Sequence, residues 1–107
     1  MSRVLKTPLA KDDLKAIGRY IRLATKSRDR ALSVLSSIAS RAKIYAAAPE
    51  MGEQRSDLGM NVRMFLAANY VCLYQPVEGG IELLRIVHST RDLPEIRRKQ
   101  IPNDPQP

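Results

Sequence analysis

The stretch that decides the fold is Ile81-Glu82-Leu83-Leu84-Arg85-Ile86-Val87-His88-Ser89-Thr90-Arg91-Asp92. Branched aliphatic side chains dominate its first part, which predicts a buried β-strand over 81–88 that ends in a polar turn. Arg85 interrupts the apolar run, and the only histidine of the chain, His88, lies at the predicted strand exit. Because a rigid strand that ends in an exposed loop is a common place for functional side chains, this turn is the first candidate site.

Two more strands are predicted upstream, over 62–66 and 70–75, from their aliphatic and aromatic content. The links between the strands are short. Ala67-Ala68-Asn69 joins the first two, and Val77-Glu78-Gly79-Gly80 joins the second pair with glycines that tolerate positive φ. Links of this length favour an antiparallel, three-stranded meander.

The first half of the chain predicts a strand over 3–6 and then a helical hairpin. Thr7 and Pro8 form a typical helix start, as N-cap and first helical residue. Apolar side chains then recur at helical spacing, and they are Ala10, Leu14, Ile17 and Ile21. Ser27 is the predicted N-cap of a second helix, which ends before Pro49 because proline cannot continue a helix. Helices joined by so short a break are expected to pack antiparallel.

Together these elements predict an α+β fold with an N-terminal strand, an α-helical hairpin, a three-stranded antiparallel meander and a short C-terminal helix. That last helix is expected over 93–99, with Asp92 and Glu95 as its capping box. A chain of 107 residues forms one domain with one modest core. We expect this domain to occupy 1–100, followed by a flexible, proline-rich tail over 101–107.

Composition narrows the class of protein. Apolar residues make up 44% of the chain, which is typical of a globular protein. No apolar run approaches the roughly 20 residues that span a bilayer, and the N-terminal residues show no apolar signal segment. The single cysteine, Cys72, lies in an apolar run and is expected to be a buried, inert thiol. These features predict a cytoplasmic protein that does not associate with membranes.

The net charge of +7 is unevenly distributed. Residues 1–48 contain eleven Lys or Arg and three Asp or Glu, a net charge of +8, whereas residues 49–90 carry −2. A positive electrostatic field concentrated in the first half of the chain favours an anionic partner, either nucleic acid or an acidic protein segment. The alternative is a solvated helix surface without a partner.

The chain offers little catalytic chemistry. One histidine, one cysteine and no carboxylates at ligand spacing argue against a metal site. No glycine-rich phosphate loop follows a strand, so no cofactor is predicted. His88 and Ser89 are adjacent on a strand and therefore point to opposite sides, which places them badly for a Ser/His/Asp triad. No catalytic residue is predicted.

The arginines of the second half have two interpretations. If Arg63 and Arg85 share a sheet face, their guanidinium groups could recognise phosphate or carboxylate. Alternatively, Arg85 pairs with a carboxylate such as Glu82 or Asp92 and only stabilises the sheet. His88 is likewise either an acid or base or a hydrogen-bonded structural residue. Tyr70 and Tyr74 share a strand face by period two and are expected to pack rather than to stack on bases.

Several segments carry a family resemblance through their order and spacing. They are 10–21 in the first helix, 49–52 and 55–59 in the loop, 61–65 and 70–74 in the middle strands, and 81–92. In these segments the chain resembles the ParE branch of the RelE/ParE toxin superfamily, from type II toxin–antitoxin modules. The β-αα-βββ fold of that superfamily agrees with the elements predicted above.

The resemblance implies a toxin that binds and inhibits DNA gyrase without being an enzyme, and that a cognate ParD-like antitoxin from the same operon neutralises. Such an antitoxin has a ribbon-helix-helix domain, so operator DNA would be contacted only through it. The alternative is the RelE-like branch, which cleaves mRNA on the ribosome with Lys, Arg and a Tyr or His. No tyrosine follows Tyr74 and residues 49–61 contain no lysine, so the ParE-like function is favoured.

Position alone suggests the residues that contact each partner. The candidates for target binding are the cations near the meander and its exit, namely Arg63, Arg85, His88 and Arg91. The antitoxin is expected to dock an amphipathic helix in an apolar groove, with a strand added at a sheet edge as a further mode. The candidates for that contact are Leu14, Ile17, Ile21 and Arg55.

Overall fold

The computed structural model describes residues 2–90. Its elements, in chain order, are β1 Arg3–Lys6, α1 Pro8–Thr25, α2 Arg28–Ala47, a 3-10 turn Pro49–Met51, β2 Glu53–Gln54, β3 Arg63–Ala67, β4 Tyr70–Val77 and β5 Gly80–His88. The predicted α+β order is confirmed. The two-residue strand β2 was not predicted, because so short a segment shows no periodicity. The predicted C-terminal helix over 93–99, the tail over 101–107 and Arg91 lie outside the described residues.

Side-chain caps start both helices where the sequence predicts them. The hydroxyl of Thr7 accepts a hydrogen bond of 3.1 Å from the backbone N–H of Ala10, ahead of Pro8 at the first helical position. Ser27 accepts a 3.1 Å bond from the N–H of Arg30 in the same way. Between the helices, Lys26 adopts a left-handed conformation with a φ of 57°. These local signals fix the length and the direction of the hairpin.

The sheet has the strand order β1-β5-β4-β3-β2. β1 pairs with β5 in parallel, and the remaining neighbours pair antiparallel, as the meander predicts. β1 and β5 come very close at Gly80, where an added Cβ would lie 1.9 Å from the carbonyl oxygen of Arg3. The register runs from Arg3 opposite Gly80 to Lys6 opposite Leu83, so β1 covers only the first half of β5.

The start of α1 continues the edge of β5 where β1 ends. The backbone N–H of Thr7 donates to the carbonyl of Leu83 at 3.0 Å, and its hydroxyl donates to the carbonyl of Leu84 at 2.9 Å. Thr7 is only 5% exposed. Its hydrogen bonds make it both the cap of α1 and a partner of the edge of β5. Helix α1 is thereby held directly against the strand that leads to His88.

Apolar clusters cover both faces of the sheet. The larger lies under the helical hairpin and contains the stacked rings of Tyr45 and Phe65, whose centroids are 4.6 Å apart. Cys72, predicted to be buried, is fully enclosed there. The smaller cluster packs on the opposite face, with Leu58 and Val62 from the segment before β3 covering the strands. The hairpin on one face was predicted, whereas the cover on the second face was not.

Candidate functional site

Arg85 forms an ion pair that joins the last strand to the first helix. Its Nε donates to Asp13 Oδ2 at 2.7 Å and its Nη2 to Asp13 Oδ1 at 3.0 Å. The same carboxylate accepts the backbone N–H of Ile86 at 2.9 Å. The two side chains are only 9% and 16% exposed. Asp13 therefore provides an acceptor for the strand edge beyond β1 and a counter-charge for the buried guanidinium.

The interpretation that Arg85 pairs with a carboxylate is confirmed, but the partner shown is Asp13 and not Glu82, one of the two examples considered. Glu82 instead accepts a 2.9 Å hydrogen bond from the side-chain amide of Gln75 on the neighbouring strand. The other predicted carboxylate, Asp92, lies outside the described residues. The partner that sequence spacing missed, Asp13, is 72 residues away, and only the packing of α1 on β5 brings it to the strand.

Arg63 braces the turn that follows α2. Its Nη1 donates to the carbonyl oxygens of Glu50 and Gly52 at 2.9 and 2.8 Å, and its Nη2 lies 3.3 Å from the Glu50 carboxylate. The predicted cluster with Arg85 does not form. Arg63 is in register with Tyr74, and Arg85 is in register with Leu73. Their guanidinium groups bind different parts of the chain, because Arg63 binds the turn after α2 and Arg85 binds Asp13 on α1.

Tyr74 holds the same turn through its hydroxyl group. Its hydroxyl donates to the carbonyl of Pro49 at 2.8 Å and accepts the N–H of Gly52 at 3.0 Å. A side chain at Gly52 would collide with this ring, since an added Cβ would lie 2.1 Å from the hydroxyl oxygen. Burial raises the pKa of Tyr74, although the hydrogen bond from Gly52 and the charge of Arg63 act in the opposite direction. The expectation that this tyrosine packs in the core is confirmed.

Arg55 lies on the sheet face opposite the helices. It forms a two-pronged pair with Asp57 at 2.9 and 2.8 Å, and this hydrogen bonding raises its pKa. Its Nη1 also contacts the sulfur of Met64, which packs on the smaller apolar cluster. The other three residues predicted to contact an antitoxin are on α1, so one compact surface does not contain all four. A role for Arg55 in binding remains a prediction.

An open cleft of about 640 Å³, which we call the tyrosine cleft, lies where the hairpin meets the ends of two strands. The residues that give it its chemistry are Ile17, Tyr20, Ile21, Arg30, Tyr70 and His88. Tyr20 is 67% exposed, whereas Tyr70 is buried. Burial, and then the proximity of Tyr20, raise the pKa of Tyr70.

Four elements bring these side chains together. The ring of His88, at the end of β5, meets the ring of Tyr70, at the start of β4, edge to face with centroids 5.5 Å apart. The Nδ1 atom of His88 lies 3.0 Å from the hydroxyl oxygen of Thr90. The β3–β4 turn beside them has positive φ values at Ala68 and Asn69, 51° and 71°. His88 was predicted to be a site residue, and the structure places it at the cleft wall.

Sequence reasoning missed Tyr20 and Arg30. Tyr20 precedes Ile21 and therefore lies beside, not on, the apolar stripe of α1. An aromatic residue displaced from the buried stripe of a helix is a signal for an exposed ring, and it could have identified Tyr20. Arg30 gave no such signal, because it is one of several cations near the start of α2.

A second groove of about 400 Å³, the hairpin groove, runs between the two helices. Its apolar lining comprises Leu14, Gly18, Ala31, Leu32 and Leu35. Its charged lining is entirely basic, with Lys15, Arg19, Arg22 and Arg28. Gly18 allows the helices to approach, since an added Cβ would lie 3.1 Å from Leu35 Cδ1. The groove thus combines an apolar floor with a positively charged rim.

Neither metal nor thiol chemistry marks a site in the described part of the chain. Within residues 2–90, no group of His, Cys, Asp and Glu side chains could hold a metal ion. Burial raises the pKa of the Cys72 thiol to about 12, so it is protonated and unreactive at neutral pH. No helix in this range is long and apolar enough to cross a membrane.

A helical hairpin on a five-stranded sheet, with a cation-rimmed groove between the helices, defines a small basic α+β protein. Residues 4–93 match the family model described as the ParE toxin of type II toxin–antitoxin system, parDE. The chain therefore belongs to the ParE toxin family of type II toxin–antitoxin systems.

Solved structures agree on the fold. A chain of the chromosomal ParDE toxin–antitoxin system from P. aeruginosa superposes with a TM-score of 0.69 at 21% sequence identity. The match covers 82% of this chain and 96% of that chain. No curated protein is similar enough in sequence to match this one.

Proposed function

We propose that this toxin inhibits DNA gyrase by binding to it, and that a ParD-like antitoxin encoded in the same operon neutralises it. The observation that carries the proposal is the match of residues 4–93 to the ParE toxin family. The fold shared with a ParDE system supports an antitoxin partner. Gyrase and operon regulation operate in the cytoplasm, so we place the protein there. A ribbon-helix-helix domain of the antitoxin would make the contact with operator DNA.

The four residues predicted to bind the target have two different roles in this proposal. Arg63 holds the turn after α2, and Arg85 holds α1 against the edge of β5. We propose that these two arginines support gyrase binding indirectly, by stabilising the sheet. His88 is exposed at the end of β5, and Arg91 follows three residues later. We therefore propose that the β5 exit, with His88 and Arg91, contacts gyrase.

The hairpin groove is the proposed antitoxin site. An amphipathic helix of the antitoxin fits this groove. Its apolar side chains would pack against Leu14 and Leu35, and its acidic side chains would pair with the basic rim. Leu32 is 51% exposed and extends the apolar surface that such a helix would cover. Of the residues predicted for this contact, Leu14 lines the groove, whereas Ile17 and Ile21 line the tyrosine cleft.

The target is tested with two assays on the purified protein. Inhibition of gyrase supercoiling, relieved by the antitoxin, is the expected result, together with intact mRNA in a translating extract. Cleaved mRNA with unaffected supercoiling would instead support the RelE-like alternative. His88→Ala is expected to weaken gyrase inhibition, and the exposed Asp12→Ala on α1 is the matched control.

The antitoxin site is tested by charge reversal on the groove rim. The double variant Arg19→Glu, Arg22→Glu is expected to weaken antitoxin binding about 10-fold or more, because like charges then face each other. Lys43→Glu reverses an exposed charge on α2 that does not line the groove, and it should have a much smaller effect. Wild-type affinity should also fall with ionic strength. Equal losses in the two variants would argue against the groove.

A further inference from the structure

The junction of the two helices carries a concentrated positive charge beside the tyrosine cleft. Lys26, Arg28 and Arg30 are all exposed there, and we call them the basic tip. Asp29 is the only acidic residue between Lys26 and Arg30. Arg30 belongs both to the tip and to the wall of the cleft. A polyanion that lies along the tip would therefore be led into the cleft.

The tyrosine cleft contains side chains that can bind a flat, polar ring. Tyr20 offers an aromatic ring on a residue that is 67% exposed. Asn69 and His88 add an amide and an imidazole to the lining, and both residues are exposed to solvent. Exposed aromatic rings next to cations are the common means by which proteins hold unpaired bases, since every base has a face that stacks.

We propose that the tyrosine cleft and the basic tip bind single-stranded nucleic acid, with an unpaired base stacked on Tyr20 and phosphates on Lys26 and Arg30. A duplex fits less well, because its bases are already stacked and cannot enter a cleft. An acidic peptide would pair with the same cations but would make no use of the aromatic wall. Arg28 of the basic tip also lines the hairpin groove, but Tyr20, Lys26 and Arg30 do not. The proposal goes beyond gyrase inhibition and neutralisation by the antitoxin.

The proposal is tested with fluorescence anisotropy on the purified full chain, with labelled oligonucleotides of about 10 nucleotides. DNA and RNA single strands show which nucleic acid binds more tightly, and the same sequence as a duplex tests the need for unpaired bases. Tyr20→Ala should weaken binding about 10-fold, as expected for the loss of one stacked base. Tyr20→Phe retains the ring and should bind like the wild type.

Charge variants separate the site from general electrostatic attraction. Arg30→Gln should weaken binding and reduce the dependence of log affinity on log salt by about 0.7, the value for one phosphate contact on a single strand. Lys43→Gln removes an equivalent charge away from the cleft and tip and should have little effect. Because these side chains are exposed, unchanged melting temperatures should accompany every variant.

Three results would overturn the proposal: a duplex bound more tightly than its single strand, equal losses for Arg30→Gln and Lys43→Gln, or wild-type binding by Tyr20→Ala. If Tyr20→Ala bound the oligonucleotide normally but bound the antitoxin more weakly, the cleft would be a protein contact instead. His88 belongs to both proposed surfaces, but Tyr20→Ala and Arg30→Gln leave His88 and Arg91 unchanged, so either proposal can fail alone.

Discussion

Asp13 is predicted to be among the most important single side chains for stability, and Asp13→Ala tests this directly. The substitution removes two charge-assisted hydrogen bonds to Arg85 and the acceptor of the Ile86 N–H. Removing one partner of a buried ion pair costs about 3–5 kcal/mol. Because Asp13 is 16% exposed rather than fully enclosed, we expect the lower part of that range, about 3 kcal/mol. The free energy of unfolding of a domain of this size is about 5–15 kcal/mol, so this loss would be a large fraction of its stability.

Asp13→Asn removes the charge but retains part of the hydrogen bonding. Asparagine keeps one oxygen that can accept from Ile86 and from Arg85 Nε, whereas its amide nitrogen cannot accept the bond from Arg85 Nη2. We therefore expect Asp13→Asn to cost less than Asp13→Ala. The assay is urea unfolding followed by circular dichroism, with the free energy extrapolated to water. Asp12→Ala, an exposed neighbour on α1, is the control and should change stability by no more than about 0.5 kcal/mol.

A double-mutant cycle completes the test. Asp13→Ala combined with Arg85→Met removes both charges, so the double variant should be more stable than the sum of the single losses implies. A coupling of about 1–3 kcal/mol is expected for groups in direct contact. An Asp13→Ala loss no larger than that of Asp12→Ala, or additive single effects, would refute the idea that this pair holds α1 on β5.

Three further variants probe other parts of the scaffold. Tyr74→Phe leaves a buried N–H and C=O without their partner and should lower the unfolding free energy by about 1–3 kcal/mol, whereas a wild-type denaturation midpoint would show that the hydroxyl does not hold the turn. Ala68→Gly should stabilise the protein by about 0.5–1 kcal/mol in the same assay, because alanine is unfavourable at positive φ, while Ala67→Gly in β3 should destabilise it. Burial raises the Cys72 pKa from 9.0 to about 12, so the folded thiol stays protonated while the unfolded one ionises. Stability is therefore lost as the pH rises above about 9, by roughly 1.4 kcal/mol per unit, and Cys72→Ala should lack this part of the alkaline slope. Parallel pH curves for the wild type and Cys72→Ala would contradict that reasoning.

Local signals in the sequence predicted most elements of the fold. The caps at Thr7 and Ser27, the break before Pro49 and the short links of the meander depend on neighbours within a few residues, and the structure confirms each of them. The pairing of Asp13 with Arg85 could not be read in this way. It depends on how α1 packs on β5 across 72 residues of sequence, and no local pattern records that arrangement.

The candidate site shows the same limit. His88 was identified because it ends a strand, but its neighbours in the cleft come from α1, α2 and β4. Tyr70 was recognised as a packing residue, and its proximity to Tyr20 emerged only from the tertiary structure. Side chains that meet from four elements have no fixed spacing, so sequence reasoning named Ile17, Ile21 and His88 without predicting that they meet, and it missed Tyr20 and Arg30.

Two groups of cations within residues 2–90 have different consequences for mutation. Arg55, Arg63 and Arg85 are held by acceptors within the chain, so their loss should lower stability and thereby weaken every activity together. The exposed cations of the hairpin groove and basic tip lie on the surface, and their loss should weaken binding while leaving the melting temperature unchanged. Measuring stability alongside each binding assay therefore distinguishes a damaged scaffold from a damaged interface. A sheet arginine whose substitution abolished the proposed gyrase inhibition without any loss of stability would show that the proposed recognition surface extends onto the sheet.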